Sequence, residues 1–386
     1  MAPPAYKLRR SSILLCLIAF AASTCLALAL DWSVLQHRIL HSAAGIPGDL
    51  ASFRRNAELV TQPFGNAAWK ADFLPYPPPF LLLSVPMSWL PAKEEYLAWT
   101  FMGVALLILS ARLLKLPWMA IGVGLLSQPT LQCMTMGQTG MFISAALMLS
   151  FGLAETQPVI AGIAAGCLII KPQFGILLPV CFLASRNWRA MVAAAGTVLG
   201  LCALPALLFG MGVWRVFFIN HIASAQSLIT LPWPQGYQYT MVTVFMLLRS
   251  LGAGMNLASF VQAVASLCAA AACWWLWRRG ANIDRLAQLA ATLCLVILAT
   301  PYAYIYDLPA LALALAGCAA MTRWRTIIPL TILSVITSIY VFFSTAWFLP
   351  GAIFLFALLL SVWPKNLLSL KCCMEEWSPP ARGKSA

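Results

Sequence analysis

Only 11 Asp and Glu side chains occur in 386 residues, so every group able to act as a base is weighed singly. Asp31, Asp49, Glu58 and Asp72 fall in the longest polar stretch, and Asp307 opens the apolar run 308–320. Asp49 follows Pro47-Gly48 and begins a stretch, 49–59, with helix-like apolar spacing. As an N-cap, Asp49 would satisfy free backbone N–H groups. As a general base it would take the proton of an attacking hydroxyl within hydrogen-bond reach. The two roles are compatible, and spacing alone does not choose. Glu94, Glu95, Glu155, Asp284, Glu375 and Glu376 read as solvated loop or tail groups.

Lys171 interrupts the apolar runs 161–170 and 174–182, with Pro172 and Gln173 beside it. A lysine inside such a run costs several kcal/mol unless it is paired, hydrated or snorkelling, which makes it a functional candidate. Its ammonium suits a phosphate as a point charge; the plainer reading is snorkelling to headgroups. Gly137-Gln138 separates two apolar segments. It is either a tight turn or a place where Gln138 meets a sugar hydroxyl or phosphate. Residues 73–80, rich in proline, re-enter the apolar region with Tyr76 at their rim. They start a helix or wall a cavity. Tyr302, Tyr304 and Tyr306 fit an aromatic belt, but Asp307 does not, and an acid there suggests a polar cavity. No nucleotide-binding glycine loop, zinc motif or serine-nucleophile elbow occurs. Chemistry without nucleotide machinery points to a lipid-linked substrate and calls for no cofactor.

The elements that position these residues are apolar helices. The chain is 62% hydrophobic and 9% charged, with mean hydropathy +0.86, whereas soluble domains carry about 25% charged residues. The formal charge of +13 is spread in small groups between apolar blocks. That is the signature of cytoplasmic loops, not of a nucleic-acid-binding face. Most of the 12 cysteines lie singly in apolar runs, and none has zinc-like spacing.

The sequence therefore predicts an all-α, polytopic membrane protein of one domain, 1–386. Residues 1–11 form a cytoplasmic N-terminus, 12–364 the transmembrane core and 365–386 a cytoplasmic tail. Outer loops fall at 31–75 and 210–256. An uncleaved first helix is followed by apolar segments at 76–90, 96–114, 118–134, 140–154, 158–170, 173–184, 190–209, 257–277, 286–300, 304–320, 326–345 and 350–363. Basic groups at Arg112, Arg186, Arg278 and Arg323 mark the cytoplasmic side. Parity requires that one segment fail to cross. The proline-rich 76–90 is the weakest and is expected to be short or re-entrant, leaving about 12 crossings. The alternative joins 158–184 into one helix across Lys171-Pro172. A helix near the interface is expected at 239–249.

Taken in order, Gly48-Asp49, Tyr76-Pro77-Pro78, Gly137-Gln138, Lys171-Pro172, Pro301-Tyr302 and Tyr306-Asp307 resemble glycosyltransferase family 87 over residues 12–364. The resemblance implies a GT-C fold. It also implies a polyprenyl-phosphate hexose donor, usually mannose, and an inverting transfer to a lipid or glycan acceptor on the outer face of a plasma membrane of the bacterial inner-membrane type. The acid matching the family base is Asp49. Tyr76, Gln138, Lys171, Gln173, Tyr302, Tyr306 and Asp307 fall at the substrate-binding positions, with no metal. Some members carry a histidine in the late motif, whereas here 300–307 contains none. In-line displacement needs a base on one side and positive charge for the departing phosphate on the other. Asp49 supplies the first, and Lys171 with Gln138 the second. A transporter or flippase without bond chemistry would also explain intramembrane Lys171 and Asp307. The acidic outer loop and the lack of a visible inverted repeat favour the enzyme.

Overall fold

The computed structural model describes residues 18–26, 28–29, 46–60, 76–221, 230–278, 284–321 and a few positions between 328 and 335. The segments expected at 326–345 and 350–363 fall almost wholly outside them, as do Asp31 and Asp72. The described elements are α1 (Gly48–Val60), α2 (Leu81–Ser88), α3 (Ala92–Leu113), α4 (Trp118–Leu125), α5 (Gln128–Met136), α6 (Gly140–Gly152) and α7 (Pro158–Cys167). They continue with α8 (Leu178–Ala184), α9 (Trp188–Phe209), α10 (Gly212–Val216), α11 (Val244–Ser250), α12 (Met255–Arg278), α13 (Arg285–Ala299) and α14 (Pro309–Met321). Among the described residues no sheet forms; one isolated bridge pairs Met241 with Tyr304.

Three helices, α3, α9 and α12, are long and apolar enough to cross a membrane. At 1.5 Å per residue they run about 33–36 Å, against a hydrocarbon core of about 30 Å. Their outward faces are apolar: Phe101, Val192, Leu199, Leu207 and Leu267 are all at least 70% exposed. Water would not tolerate such faces on a monomer; lipid does. Helix α7 packs along α9 through Gly162 and Gly166. A Cβ at Gly162 would lie 2.3 Å from the Ala190 carbonyl oxygen, and one at Gly166 2.5 Å from Thr197 Cβ. Small residues one turn apart allow this close backbone approach, which replaces the hydrophobic drive absent in lipid.

One end of the bundle is basic and closed by polar ties. Arg285 pairs with Glu155 at 3.1 Å, Asn187 donates to the Ala154 carbonyl, and Arg112 donates to the Leu116 carbonyl at 2.7 Å. Asp284 caps α13, its Oδ1 accepting from the N–H groups of Leu286 and Ala287 at 3.0 and 3.1 Å.

Several sequence expectations need correction. The segment 118–134 is not continuous, because α4 stops at Leu125 and α5 restarts at Gln128, with Pro129 in its first turn. Segment 304–320 becomes helical only from Pro309, after a 3-10 turn at Ile305–Asp307. The expected helix at 239–249 divides into a 3-10 turn, Gln238–Thr240, and α11. A single helix over 158–184 is excluded. Lys171 adopts φ −138°, ψ 74° between two 3-10 turns, because Pro172 disfavours the α region at the residue before it. Both halves of 158–184 return to the basic end, so they form a hairpin with Lys171 at its tip. Segment 76–90 is a short bent helix beginning at Pro78 with Pro86 inside it, as proline content suggested.

The short elements end below the ends of the long ones. Helix α6 has 13 residues, α13 has 15 and α14 has 13, so each covers about 20–22 Å from the basic end. Trp99 of α3 meets Gln138, its indole N–H donating to the Gln138 carbonyl at 3.3 Å. Gln262 of α12 meets the end of α13, donating to the Leu298 carbonyl at 3.0 Å. From Ala92 to Trp99, and from Met255 to Gln262, the long helices overrun this level by about 10 Å. Gln138, Lys171 and Thr300–Asp307 thus converge at one level, below the far ends of α3 and α12.

Candidate active site

Three chain reversals bring the polar residues together. The first ends α5. Gly137 is left-handed at φ 65°, its N–H donates to the Met134 carbonyl, and the Gln138 N–H donates to the Cys133 carbonyl. This is a Schellman cap, for which glycine is the favoured residue. The turn reading of Gly137-Gln138 therefore holds. The Gln138 side-chain oxygen accepts from the Tyr76 hydroxyl at 3.2 Å and the Thr139 N–H at 3.3 Å. Both contacts use the acceptor end of the amide, and among the described residues none takes its N–H groups.

The second reversal is the hairpin tip. Lys171 is 6% exposed and does not snorkel. Its Nζ donates to Asp307 Oδ1 at 2.7 Å. It also lies over three aromatic faces, Tyr306 at 5.1 Å, Tyr76 at 5.5 Å and Phe174 at 6.0 Å. Ring faces add cation–π attraction to the Coulomb term. An ammonium has three N–H groups; one goes to Asp307 and another faces the Tyr76 hydroxyl. Gln173 contributes its backbone to this tip, its carbonyl accepting from the Thr300 hydroxyl at 3.1 Å.

The third reversal is the Thr300–Asp307 segment. Asp307 Oδ2 accepts from the Tyr304 N–H at 3.1 Å, which fixes the 3-10 turn. Tyr304 stacks on Tyr306 at 4.9 Å, meets Tyr302 edge-on at 5.0 Å, and its hydroxyl donates to the Tyr302 hydroxyl at 2.5 Å. The three tyrosines climb from the buried ion pair to half-buried Tyr302. Gly140 makes this docking possible, since a Cβ there would lie 1.8 Å from the Tyr306 carbonyl oxygen. The Ala310 N–H donates to Ser144 of α6 at 3.0 Å.

Helix α1 lies against this group. Leu50 packs on Gly137, where a Cβ would sit 2.9 Å from Leu50 Cβ. Phe53 contacts Tyr76, Phe80 and Trp99 at centroid distances of 5.3, 5.0 and 6.0 Å. Asp49 is the second residue of α1, in its first turn, not the capping residue ahead of it. A carboxylate there still faces the positive end of the helix dipole. Asp49 is half-buried and close enough for its charge to act on the hydroxyls of Tyr302 and Tyr306.

All eight residues singled out from the sequence thus belong to one neighbourhood, with Gln173 present through its backbone. The sequence missed Thr139, whose hydroxyl hydrogen-bonds Tyr76 at 3.1 Å, and the aromatic bed of Phe53, Phe80 and Trp99. It also misread Glu95, which is buried in the first turn of α3 and paired with Arg54 at 2.7 Å. The segment boundary at 96 placed Glu95 in a loop; helix-favouring residues from Ala92 onward were the available signal. Among the described residues, no three His, Cys, Asp or Glu side chains gather as a metal site.

The described residues thus form a helical membrane protein in which a buried lysine–aspartate pair is surrounded by tyrosines and a glutamine. The chain belongs to glycosyltransferase family 87, which matches it over residues 73–301, more than half its length. No curated protein and no solved structure matches it. The matched region contains Tyr76, Gln138, Lys171 and Gln173; Asp49, Tyr302, Tyr306 and Asp307 lie outside it. The chain is accordingly a transferase acting on a sugar donor and an acceptor in a membrane setting, which sets aside the transporter reading.

Proposed function

We propose that the protein transfers a hexose, mannose in the first instance, from a polyprenyl-phosphate donor to a lipid or glycan acceptor. Transfer occurs on the outer face of the plasma membrane, of the bacterial inner-membrane type, with inversion at the anomeric carbon. The observation that carries this reading is the buried Lys171–Asp307 pair beside Tyr76 and Gln138, with Asp49 near enough to the adjoining Tyr302 and Tyr306 to act on their hydroxyls.

The acceptor hydroxyl gives its proton to the Asp49 carboxylate as its oxygen attacks the anomeric carbon. The bond from that carbon to the phosphate oxygen breaks on the opposite side, and the lipid phosphate leaves with the electron pair. The N–H groups of Lys171 not given to Asp307, and the Gln138 amide, stabilise the charge that develops on it. In a water-poor recess such fixed donors are worth far more than in water. Asp307 keeps Lys171 charged and oriented at a depth where an unpaired ammonium would be costly. Tyr302 and Tyr306 line the side of the sugar, and Gln173 holds the hairpin tip to Thr300. The overrunning ends of α3 and α12 leave an apolar path for the prenyl tail.

The test is incubation of the purified protein with radiolabelled polyprenyl-phosphate mannose and extracted membrane lipids. A new labelled glycolipid or glycan, of inverted anomeric configuration, is expected. Release of free mannose alone, or no consumption of any polyprenyl-phosphate hexose, would contradict the proposal.

A further inference from the structure

The ion-paired cluster of Arg54, Glu58 and Glu95 lies outside the chemistry described above. Arg54 Nε donates to Glu58 Oε1 at 2.8 Å within α1. One of its terminal nitrogens donates to Glu95 Oε2 at 2.7 Å and to the Leu90 carbonyl at 2.8 Å. The guanidinium therefore grips α1, the turn before α3 and the first turn of α3 together. Glu95 is 1% exposed. A buried ion pair is seldom the most stable filling for its space, since apolar side chains of similar volume often do as well or better. Its directional hydrogen bonds supply geometry instead.

Helix α1 has 13 residues. It rests on Leu50 against Gly137 and Phe53 in its aromatic bed, and its far half packs Ala57 and Val60 with Leu81, Val85 and Val213. Apolar packing is non-directional, so it sets the separation of α1 more closely than its angle about its axis, which directional hydrogen bonds fix. Asp49 and Arg54 are five residues apart on one helix, and at 100° per residue they point to largely different sides. A fixed Arg54 on one side sets the angle at which Asp49 projects on the other. A side-chain tip lies about 6 Å from the helix axis, so a rotation of about 10° moves the carboxylate by about 1 Å. A misplacement of that size in a reacting group costs about 10²-fold in rate.

We propose that the Arg54–Glu95 pair is a positioning device that holds α1 in the rotation bringing Asp49 to the acceptor hydroxyl. This rests on the reading of Asp49 as the base. The test compares Arg54→Gln, Arg54→Lys, Glu95→Gln, the double variant Arg54→Gln/Glu95→Gln and Asp49→Asn, each purified and assayed with labelled polyprenyl-phosphate mannose at varied concentration. The double variant leaves no unpaired buried charge, so it separates geometry from folding. The expected result is a folded double variant with kcat lowered about 10–100-fold and donor KM within about twofold of the parent. Arg54→Lys recovers part of the loss. The acidic limb of the kcat profile, which reports the base, shifts in the double variant.

A double variant with parental turnover and pH profile overturns the proposal. So does one that fails to fold, or one whose loss lies wholly in KM, because the pair is then structural. If Asp49→Asn keeps full turnover, the base assignment fails and takes the proposal with it. If Asp49→Asn is inactive while the Arg54 and Glu95 variants are unaffected, the proposal alone fails.

Discussion

Neutralising one partner of the Lys171–Asp307 pair is expected to harm the fold, and neutralising both is expected to restore it. The charges lie 2.7 Å apart, with side-chain exposures of 7% and 1%. At an effective dielectric constant of about 20, their gross attraction is about 6 kcal/mol. Much of this offsets the desolvation of the two ions, so the pair itself adds little. Removing one partner strands the other, at a cost of about 3–5 kcal/mol. Lys171→Met and Asp307→Asn should each lower the thermal midpoint in detergent by several degrees, followed by tryptophan fluorescence. Lys171→Met/Asp307→Asn should recover most of that loss, giving a favourable coupling of at least about 2 kcal/mol. The double variant also separates stability from chemistry, since it folds but lacks the cation proposed to face the phosphate. Single variants as stable as the parent would refute a tight buried pair. A double variant less stable than either single one would refute the desolvation argument.

Gly140→Ala places a methyl group 1.8 Å from the Tyr306 carbonyl oxygen. It should displace the Tyr306–Asp307 turn, cost about 2 kcal/mol or more by overpacking, and abolish transfer; a normal midpoint with normal turnover would contradict this. Gly166→Val meets Thr197 across the α7–α9 contact and should lower the midpoint, with donor KM unchanged in the fraction that folds. In a cysteine-free background, Gln62→Cys should react with an impermeant thiol reagent in intact cells. Trp188→Cys should react only after permeabilisation, and the opposite pattern would invert the proposed orientation.

The membrane class and the candidate acid, lysine and tyrosine positions were legible in the sequence, because composition and interrupted apolar runs are local signals. Lys171-Pro172 illustrates how far they reach. Proline announces a break, and a lysine in apolar surroundings announces a partner. Yet Asp307 is remote in the chain, and nothing local pairs it with Lys171. The same limit hid Arg54–Glu95, since a carboxylate in the first turn of a helix looks solvated until another helix covers it. The break between α4 and α5 had a local signal, Ser127-Gln128-Pro129, which the apolar run 118–126 ahead of it masked. The common level of the polar residues was also beyond local reading. It arises from the difference between 13-residue and 22-residue helices once their ends are aligned at one face.

The central claim, a carboxylate base serving sugar transfer from a lipid phosphate, is tested most directly by turnover of Asp49→Asn against the parent in lipid nanodiscs with labelled polyprenyl-phosphate mannose. Asn retains the size and hydrogen-bonding shape of Asp while losing its basicity. A positioned base contributes about 10²–10⁴-fold in rate. A loss in that range, at a parental thermal midpoint and with Glu58→Gln close to parental turnover, is the predicted result. Full turnover by Asp49→Asn would contradict the claim.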